Sequence, residues 1–278
     1  MTSNQRVAVV TGSSTGNDYE TSLTLARNGF LTYATMRNLN KGENIKSLAQ
    51  KEKLALKIVQ LDVTDDVSVK NAIQSITAES NRIDVLVNNA GYTVVGAFED
   101  LSMEEIKALH ETNLFGVIRV TQAVLPIMRR QKSGIIVNIS SALGRFGLPI
   151  TSTYVSTKFA IEGLSESMAY ELEPFGIKMV LVEPGFIKTD IGDNRVTAKK
   201  SQDANSPYSQ LMQHMVSYIE HVPRSSPDVV AKAVLKAVTS ENPSLRYLAG
   251  KDAEGWIEEK RNMSDEEFHK MMKQNMMK

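Results

Sequence analysis

The sequence predicts a single α/β domain, in which a doubly wound parallel sheet of about seven strands is flanked by helices. Short β-branched runs alternate along the chain with longer segments of helical period, which is the pattern of strand–helix–strand units. Most of these runs are apolar throughout, as expected of strands that helices cover on both faces. At 278 residues the chain could form one large domain or two small ones. Because no interdomain linker or repeat is evident, we expect one domain over residues 1–278.

The strands are assigned to the apolar runs in their order along the chain. They are VAVVT (7–11), LTYATM (31–36), LKIVQLD (56–62), VLVNNA (85–90), GIIVNIS (134–140), MVLVEP (179–184) and RYLAG (246–250). Segments with helical periodicity lie between these runs and predict the helices. They span roughly 18–28, 41–52, 65–79, 103–131, 154–173 and 227–240. A sheet with this alternation is of the Rossmann type.

Two regions fall outside the alternation. A polar segment followed by an amphipathic helix, YSQLMQHMVSYIEH, occupies about residues 188–227. Long insertions after a sheet strand are usually functional or mobile, so we expect a lid over a ligand site there. The charged, methionine-rich tail, about 252–278, predicts a helix that Ser264 begins as N-cap, with Glu267 completing a capping box.

Composition argues against several classes of function. Lysine plus arginine balance aspartate plus glutamate at 32 each, so bulk charge favours neither nucleic acid nor acidic lipid as a partner. Cysteine is absent and the four histidines are dispersed without an HExxH pair, so we expect no metal site. No apolar run approaches the roughly 18 residues of a membrane span, and the N-terminus lacks a secretory pattern. We therefore expect a cytoplasmic protein without a membrane span.

The first strand leads directly into TGSSTGND, a glycine-rich turn. A strand that ends in such a turn and opens a helix presents free backbone N–H groups and the positive helix end to an anion. The GK[ST] ending of an ATPase phosphate loop is absent. The turn therefore indicates a dinucleotide site, in which the phosphate-binding residues are Gly12, Ser13, Ser14, Thr15 and Gly16.

The residue that follows the second strand predicts the choice of dinucleotide. In such sites an acidic residue binds the ribose 2′-OH, whereas a basic residue accommodates a 2′-phosphate. The stretch ATMRN places Arg37 there and has no carboxylate. Arg37, together with the hydroxyls of Ser13 and Ser14, favours NADP(H) over NAD(H), although Arg37 could instead be a solvated surface charge.

One residue argues against a working phosphate site. Asp18 stands where a third glycine is usual, and its negative charge would repel a phosphate. At about 4 Å this repulsion would weaken binding between about fivefold and nearly a thousandfold, depending on the local dielectric. Asp18 could avoid the phosphates by turning outward to cap the helix. The alternative to an enzyme is a non-catalytic dinucleotide-binding or scaffold protein of the same fold.

A proton-transfer pair follows in STYVSTKFAIEG. Tyr154 and Lys158 are four residues apart and share one helix face. A tyrosine hydroxyl, with an ordinary pKa near 10, becomes an effective acid–base group when a neighbouring ammonium lowers that pKa. The pair is common by itself, but Ser141 lies upstream at the end of a strand, where the sheet faces its ligand crevice.

Taken together, these motifs resemble those of the short-chain dehydrogenase/reductase family over about residues 5–250. The motifs that match in order and spacing are TGSSTG, LDVTD (61–65), NNAG (88–91), TNLFG (112–116), Ser141 with the Tyr154/Lys158 pair, and PGFIKT (184–189). The stretch YATMRN and the segment from Arg224 to Ala253 are similar to the 17β-hydroxysteroid and retinol dehydrogenase-like branch.

The resemblance implies hydride transfer between NADP(H) and a carbinol or carbonyl carbon, with the protein supplying positioning and one tuned proton. It implies that Tyr154 transfers this proton, that Lys158 lowers the tyrosine pKa and holds the cofactor, that Ser141 orients the substrate oxygen, and that Asn113 supports a proton path. It assigns the remaining cofactor contacts to Asp62, Val63, Asn89, Ala90, Gly91, Pro184, Gly185, Ile187 and Thr189. A homodimer or homotetramer, formed through helices 103–131 and 154–173, is also implied.

Apolar side chains near these motifs indicate the substrate class. They are Val94, Phe146, Leu148, Pro149, Met212 and Met215, and they predict a fairly roomy apolar cavity. We therefore expect a small hydrophobic ketone, aldehyde or alcohol as substrate. The same side chains could instead pack the lid against the core.

Overall fold

The computed structural model describes residues 5–14, 16–188 and 195–276, with the side chains of Asn17 and Asp18 excepted. The interpretations that rest on Thr15, on Thr189 and on the Asp18 carboxylate lie outside the described residues. Within the described ranges, no helix combines the length and the apolar character that crossing a bilayer requires.

The central sheet has seven strands, all parallel, and confirms the predicted fold class. The strands, including two short ones outside this sheet, are β1 Val7–Val10, β2 Leu31–Met36, β3 Leu56–Gln60, β4 Val85–Asn88, β5 Thr93–Val95, β6 Gly134–Ile139, β7 Ile177–Pro184, β8 Arg195–Thr197 and β9 Arg246–Ala249. Their order in the central sheet is β3-β2-β1-β4-β6-β7-β9. The order reverses between β1 and β4, so the ligand crevice of a doubly wound sheet is expected at the carboxyl ends of these two strands.

Helices cover both faces of the sheet. They are α1 Gly16–Arg27, α2 Glu43–Lys51, α3 Asp66–Ser80, α4 Met103–His110, α5 Gly116–Gln131, α6 Ser152–Leu172, α7 Ser209–His221, α8 Asp228–Thr239, α9 Lys251–Asn262 and α10 Asp265–Met276. Helices α3, α5 and α6 pack on one face, and α1 and α8 pack on the other. In β1, Val7 and Val9 belong to the first of these layers, and Ala8 and Val10 belong to the second. Burial on both sides explains why the strands are apolar throughout.

The segment predicted as one helix over 103–131 is divided. Helix α4 ends at His110, a π-helical turn spans Glu111–Phe115, and α5 begins at Gly116. A π turn inserts one extra residue into a helix and often marks a functional site. Here it holds the Asn113 side chain against the backbone of Tyr92. The helical periodicity of the sequence continues through the turn, which is why it predicted a single helix.

The regions predicted as lid and tail pack against each other. Met212, Met215 and Ile219 of α7 share an apolar cluster with Phe268 and Met272 of α10. Helix α10 begins as predicted, because Ser264 and Glu267 form the reciprocal hydrogen bonds of a capping box. The tail is therefore ordered by burial of its methionines. The assignment of residues 188–227 as a lid stays a prediction.

Candidate active site

The turn after β1 has the backbone shape that glycine provides. Gly12 and Gly16 have φ values of 83° and 67°, in the left-handed region that side chains disfavour. The N–H of Ser13 donates to the Thr35 carbonyl at 2.8 Å. The Ser13 hydroxyl is fully buried, donates to the Val10 carbonyl at 3.0 Å and accepts from Ser22 at 2.9 Å. This hydroxyl stabilises the turn, and its expected role beside a 2′-phosphate stays a prediction.

Arg37, which follows β2, is exposed. Its charge is close enough to Tyr92 to lower the pKa of that phenol, against a larger upward effect of burial. Asp62, which follows β3, uses its carboxylate locally and accepts hydrogen bonds from the N–H of Thr64 at 3.0 Å and its hydroxyl at 2.7 Å. Val63 is buried, and its carbonyl accepts a hydrogen bond from the Arg119 guanidinium at 2.6 Å. Arg37 is thus an exposed cation near Tyr92. Asp62 and Val63, by contrast, are held in place by hydrogen bonds within the protein.

Hydrogen bonds connect the residues after β4 to the glycine turn. The Thr11 hydroxyl accepts hydrogen bonds from the N–H groups of Asn89 and Ala90, at 3.0 and 3.1 Å. A Cβ on Gly91 would lie 3.0 Å from the Asn113 side-chain oxygen, so only glycine fits there without displacement. These contacts fix the backbone at the place where the strand order reverses.

Asn113 hydrogen-bonds the backbone of Tyr92, which follows Gly91. Its Oδ1 accepts from the Tyr92 N–H at 3.1 Å, and its Nδ2 donates to the Tyr92 carbonyl at 2.9 Å. The same Nδ2 lies 3.4 Å from the Thr157 hydroxyl, next to Lys158 on α6. Asn113 thus joins the π turn to the helix that carries the Tyr/Lys pair.

Ser141, Tyr154 and Lys158 are brought together at the carboxyl end of the sheet. The hydroxyls of Ser141 and Thr93 lie close enough to the Tyr154 phenol to lower its pKa. The Lys158 ammonium lies 5.6 Å from the centre of the Tyr154 ring and donates to the Ile139 carbonyl at 2.9 Å. Sequence reasoning missed Thr93, because a threonine in a three-residue strand carries no motif.

The pKa of Tyr154 differs in direction from the sequence expectation. Burial raises the pKa of the phenol above its ordinary value, and the hydroxyls of Ser141 and Thr93 lower it by less. The sequence predicted a pKa depressed by Lys158. In this structure desolvation outweighs the lowering effects, so Tyr154 is a protonated phenol at neutral pH.

The segment after β7 contacts the Ser141 strand end. The Ser141 hydroxyl lies 3.4 Å from the Pro184 carbonyl. A Cβ on Gly185 would overlap the Asp252 carboxylate, which accepts a hydrogen bond from the Phe186 N–H at 2.6 Å. Ile187 forms a parallel bridge with Ser225. These contacts hold residues 184–188 along the crevice.

A cavity of about 210 Å³ opens beside Ser141 and Tyr154. Typical small-molecule pockets have volumes of about 300–1,000 Å³, so this cavity is smaller than the roomy one that the sequence predicted. Of the apolar side chains expected to line it, Leu148 does so. Phe146, Met212 and Met215 are buried in the adjoining apolar cluster, which agrees with the packing alternative for these three.

The residues present fit a nicotinamide dinucleotide. Two glycines in left-handed conformation open α1, whose N-terminus can bind phosphate through free N–H groups. A Cβ on Gly91 would press against the Asn113 side chain, so glycine suits the close packing at this strand end. Arg37, directly after β2, is an exposed cation. Among the residues described, no group of three or more histidine, aspartate or glutamate side chains could hold a metal ion.

Comparisons with known proteins agree with this arrangement. The sequence profile of the short chain dehydrogenase family matches residues 6–200. The 3-ketodihydrosphingosine reductase of Bacteroides thetaiotaomicron is 36% identical, over 88% of each chain. Retinol dehydrogenase 8 of Homo sapiens is 35% identical, over 87% of this chain and 80% of the relative. The 17-beta-hydroxysteroid dehydrogenase type 1 of Homo sapiens is 32% identical, over 87% and 76%.

Solved structures show the same fold. A short-chain dehydrogenase from Streptomyces avermitilis has a TM-score of 0.84 and is 32% identical, with 93% of both chains covered. An alcohol dehydrogenase from the archaeon Thermococcus sibiricus, complexed with 5-hydroxy-NADP, has a TM-score of 0.72 and is 25% identical, over 88% of this chain and 96% of that one.

Proposed function

The chain belongs to the short-chain dehydrogenase/reductase family, in the branch that resembles retinol and 17β-hydroxysteroid dehydrogenases, and from this premise we propose a specific activity. The protein is an NADP(H)-dependent oxidoreductase that interconverts a hydrophobic alcohol and its ketone or aldehyde. The observation that carries this proposal is the convergence of Ser141, Tyr154 and Lys158 beside a cavity at the carboxyl end of the sheet.

The bound cofactor would supply the hydride, and the side chains would orient the substrate oxygen and transfer its proton. The Ser141 hydroxyl would hydrogen-bond the carbonyl oxygen and orient it. The Tyr154 phenol would give its proton to that oxygen during reduction and take it back during oxidation. Lys158 would stabilise the phenolate left after transfer, because its ammonium is held next to the Tyr154 ring. The protonated phenol is the form that reduction needs, and the phenolate is the form that oxidation needs.

NADP(H) is proposed over NAD(H) on the basis of Arg37. A carboxylate, which would bind the ribose 2′-OH, is absent from ATMRN, and the exposed Arg37 can bind a 2′-phosphate. The similar alcohol dehydrogenase complexed with 5-hydroxy-NADP supports the same choice. The other described cofactor contacts would come from Gly12, Ser13, Ser14, Gly16, Asp62, Val63, Asn89, Ala90, Gly91, Pro184, Gly185 and Ile187.

Fluorescence titration with NADPH and NADH, followed by turnover of a panel of apolar ketones and aldehydes, tests this function. We expect NADPH to bind in the micromolar range and at least one carbonyl to be reduced. If neither nucleotide binds below millimolar concentration, the oxidoreductase proposal is wrong.

Substituting Arg37 should change nucleotide selectivity. We expect Arg37→Gln to weaken NADPH binding by about 10- to 100-fold, which is the effect of losing a charge-assisted hydrogen bond to phosphate. NADH affinity should stay the same, because NADH lacks the 2′-phosphate. The measurement is the titration described above, with Lys41→Gln as a control at another exposed cation nearby. An equal loss of affinity for NADPH and NADH would show that Arg37 does not bind the 2′-phosphate.

Substituting Asp18 should show whether its carboxylate weakens cofactor binding. We expect Asp18→Gly to tighten NADPH binding by about fivefold or more, because the change removes a negative charge near the phosphates. Glu20→Gln, which removes a carboxylate further along α1, should have a smaller effect. An unchanged affinity in Asp18→Gly would mean that the carboxylate points away from the phosphates.

The oligomeric state remains a prediction. Large apolar side chains are exposed on the helices through which association is expected, among them Phe115, Phe159 and Tyr170. An association through these helices would bury them and gain from the removal of their apolar surface from water.

A further inference from the structure

Trp256 of α9 borders two cavities. One is the cavity of about 210 Å³ that Ser141 and Tyr154 line. The other is a more open cleft of about 700 Å³ between the end of α7 and the start of α9. Among the described residues, Trp256 and Arg224 line both, and of these two Trp256 has the larger apolar surface. The indole therefore lies at the boundary between the reaction site and the cleft.

The indole is packed between two phenyl rings. The ring of Phe186, which lines the cavity, is 5.7 Å from it with an interplanar angle of 80°. The ring of Phe146, in the apolar cluster behind the cavity, is also 5.7 Å from it, at 75°. Both contacts have the edge-to-face geometry that aromatic pairs favour. Phe146 contacts Phe268 of α10 at 5.3 Å, so the packing around the indole extends into the C-terminal helix.

The backbone that carries Trp256 is fastened to the same wall of the cavity. The Asp252 carboxylate, one turn earlier on α9, accepts a hydrogen bond from the Phe186 N–H at 2.6 Å. Ala253 and Ile257 of the same helix are buried in the apolar cluster. The start of α9 is thus fixed relative to Phe186, and the indole is a fixed part of the cavity wall.

Building on the function proposed above, we propose that Trp256 is a specificity-determining residue that limits the substrate to compact carbonyl compounds. With the carbonyl oxygen at Ser141 and Tyr154, the apolar body of the substrate extends to the indole and ends there. A longer body needs the space that the indole occupies before it can reach the cleft. Because protein interiors are close-packed, a bicyclic ring held between two others does not move aside without disturbing them.

The two volumes indicate how the limit depends on this one side chain. At about 210 Å³ the cavity is below the usual range of about 300–1,000 Å³ for small-molecule pockets, whereas the cleft, at about 700 Å³, is within it. Tyr218, Val222 and Pro223 give the cleft apolar surface. An apolar chain that passed the position of the indole would therefore lie against apolar side chains.

A series of methyl ketones tests the proposal, because its members share the reacting group and differ only in the length of the apolar chain. The probes are 2-pentanone, 2-heptanone, 2-nonanone and 2-undecanone, reduced at saturating NADPH. In the wild type we expect kcat/KM to rise by up to about fourfold per buried methylene and then to fall once the chain reaches the indole.

Variants of Trp256 should move this limit. In Trp256→Ala we expect the ratio of kcat/KM for 2-undecanone to that for 2-pentanone to increase by about 10- to 100-fold, which corresponds to burying about two to three further methylenes. Trp256→Phe, which keeps a smaller ring, should be intermediate. Tyr218→Ala is the control, because Tyr218 lines the cleft and does not line the cavity, and it should keep the wild-type ratio. The ratio is unaffected by a general loss of activity, and melting temperatures show that each variant is folded.

The wild-type protein offers a measurement that depends neither on the folding of a variant nor on turnover. Trp256 is the single tryptophan of the chain, so indole fluorescence reports on this residue alone. Titration with 2-heptanone in the absence of nucleotide should change the emission with a saturable dependence on concentration. Trp256→Phe, excited at the same wavelength, should give no such change.

Three results would overturn the proposal: the wild type reduces 2-undecanone at least as well as 2-heptanone, the ratio stays the same in both Trp256 variants, or no ketone in the series changes the indole emission. Failure of the oxidoreductase function gives a different pattern, in which no ketone is reduced although the emission still changes on ketone binding. Reduction of every ketone with a ratio independent of residue 256 would leave the oxidoreductase function standing and reject the role of Trp256.

Discussion

Tyr154→Phe is expected to reduce the turnover of any carbonyl substrate by about a thousandfold, within the usual range of 10²–10⁴ for a positioned acid–base group. The ring and its packing are retained, and the proton donor is lost. NADPH affinity should change little, because the substitution leaves the glycine turn and Arg37 untouched. The measurement is single-turnover reduction at saturating NADPH, combined with a fluorescence titration of the nucleotide.

Tyr170→Phe is the matched control for that variant. Tyr170 lies on the same helix, α6, and 79% of its surface is exposed, far from the cavity-lining residues. It should have wild-type turnover. Turnover retained in Tyr154→Phe would contradict the proton-transfer role, and a parallel loss of nucleotide affinity would indicate a positional role instead.

The raised pKa of Tyr154 adds a pH dependence to the same prediction. Reduction uses the protonated phenol, so its rate should stay constant through neutral pH and fall as the pH passes the raised pKa. Oxidation uses the phenolate and should increase over the same range. Thr93→Val removes one of the hydroxyls that lower the pKa, so it should move both profiles to higher pH. A shift to lower pH in Thr93→Val, read from kcat/KM against pH, would contradict this account.

Features that depend on local pattern could be predicted from the sequence. The apolar runs of β1 and β4 predict buried parallel strands because burial on both faces requires that composition. Gly12 and Gly16 predict a turn because their backbone conformation excludes most side chains. Tyr154 and Lys158 share a face because four residues make about one helical turn. Each of these inferences needs only residues that are close together in the sequence.

Features that depend on tertiary pairing could not be predicted. Strands β5 and β8 have three residues each, which is too short for a periodicity, and yet their pairing places Arg195 opposite Thr93. The direction of the Tyr154 pKa shift depends on desolvation by elements from several parts of the chain. The Ser13 hydroxyl faces inward because Ser22 and the Val10 carbonyl bind it.

A network of buried charged side chains near the site also could not be predicted from the sequence. Glu162 lies one turn beyond Lys158 on α6, and Glu183 directly precedes Pro184. Both carboxylates are buried, and Glu183 is 1% exposed. Arg246 of β9 lies 3.0 Å from each of them, and Arg145 also contacts Glu183, at 3.1 Å. The network therefore joins the helix of the Tyr/Lys pair to the segment that borders the cavity.

Arg246→Met is expected to lower the free energy of unfolding by about 3–5 kcal/mol at neutral pH, because removing one partner leaves a buried charge without compensation. Glu183 keeps Arg145, so Glu162 is the carboxylate that loses its counter-ion. The exposed ion pair of Arg27 and Glu52 provides the control, and Arg27→Met should cost less than about 1 kcal/mol. Urea denaturation at constant ionic strength measures both.

The double variant Glu162→Gln/Arg246→Met separates the charge from the packing. Glutamine has nearly the same shape as glutamate and no charge to desolvate, so the double variant should recover most of the lost stability. If it is as unstable as Arg246→Met, the cost comes from lost packing of the arginine side chain and the electrostatic explanation is wrong.

The pH dependence of the Arg246→Met deficit follows from the ionisation of Glu162. Burial raises the pKa of this carboxyl, the charge of Glu183 raises it further, and Ser140 and Arg246 lower it. A carboxyl whose folded-state pKa is raised stabilises the protein fully below its unfolded pKa of about 4.3, and this contribution is lost as the pH rises through the folded-state value. Arg246→Met raises the folded-state pKa further, so its deficit should shrink as the pH falls from neutral toward the wild-type folded-state pKa of Glu162. Protonation removes the charge of a buried carboxylate, whereas it does not change a packing defect. A stability deficit that is independent of pH would therefore exclude Glu162 as its source.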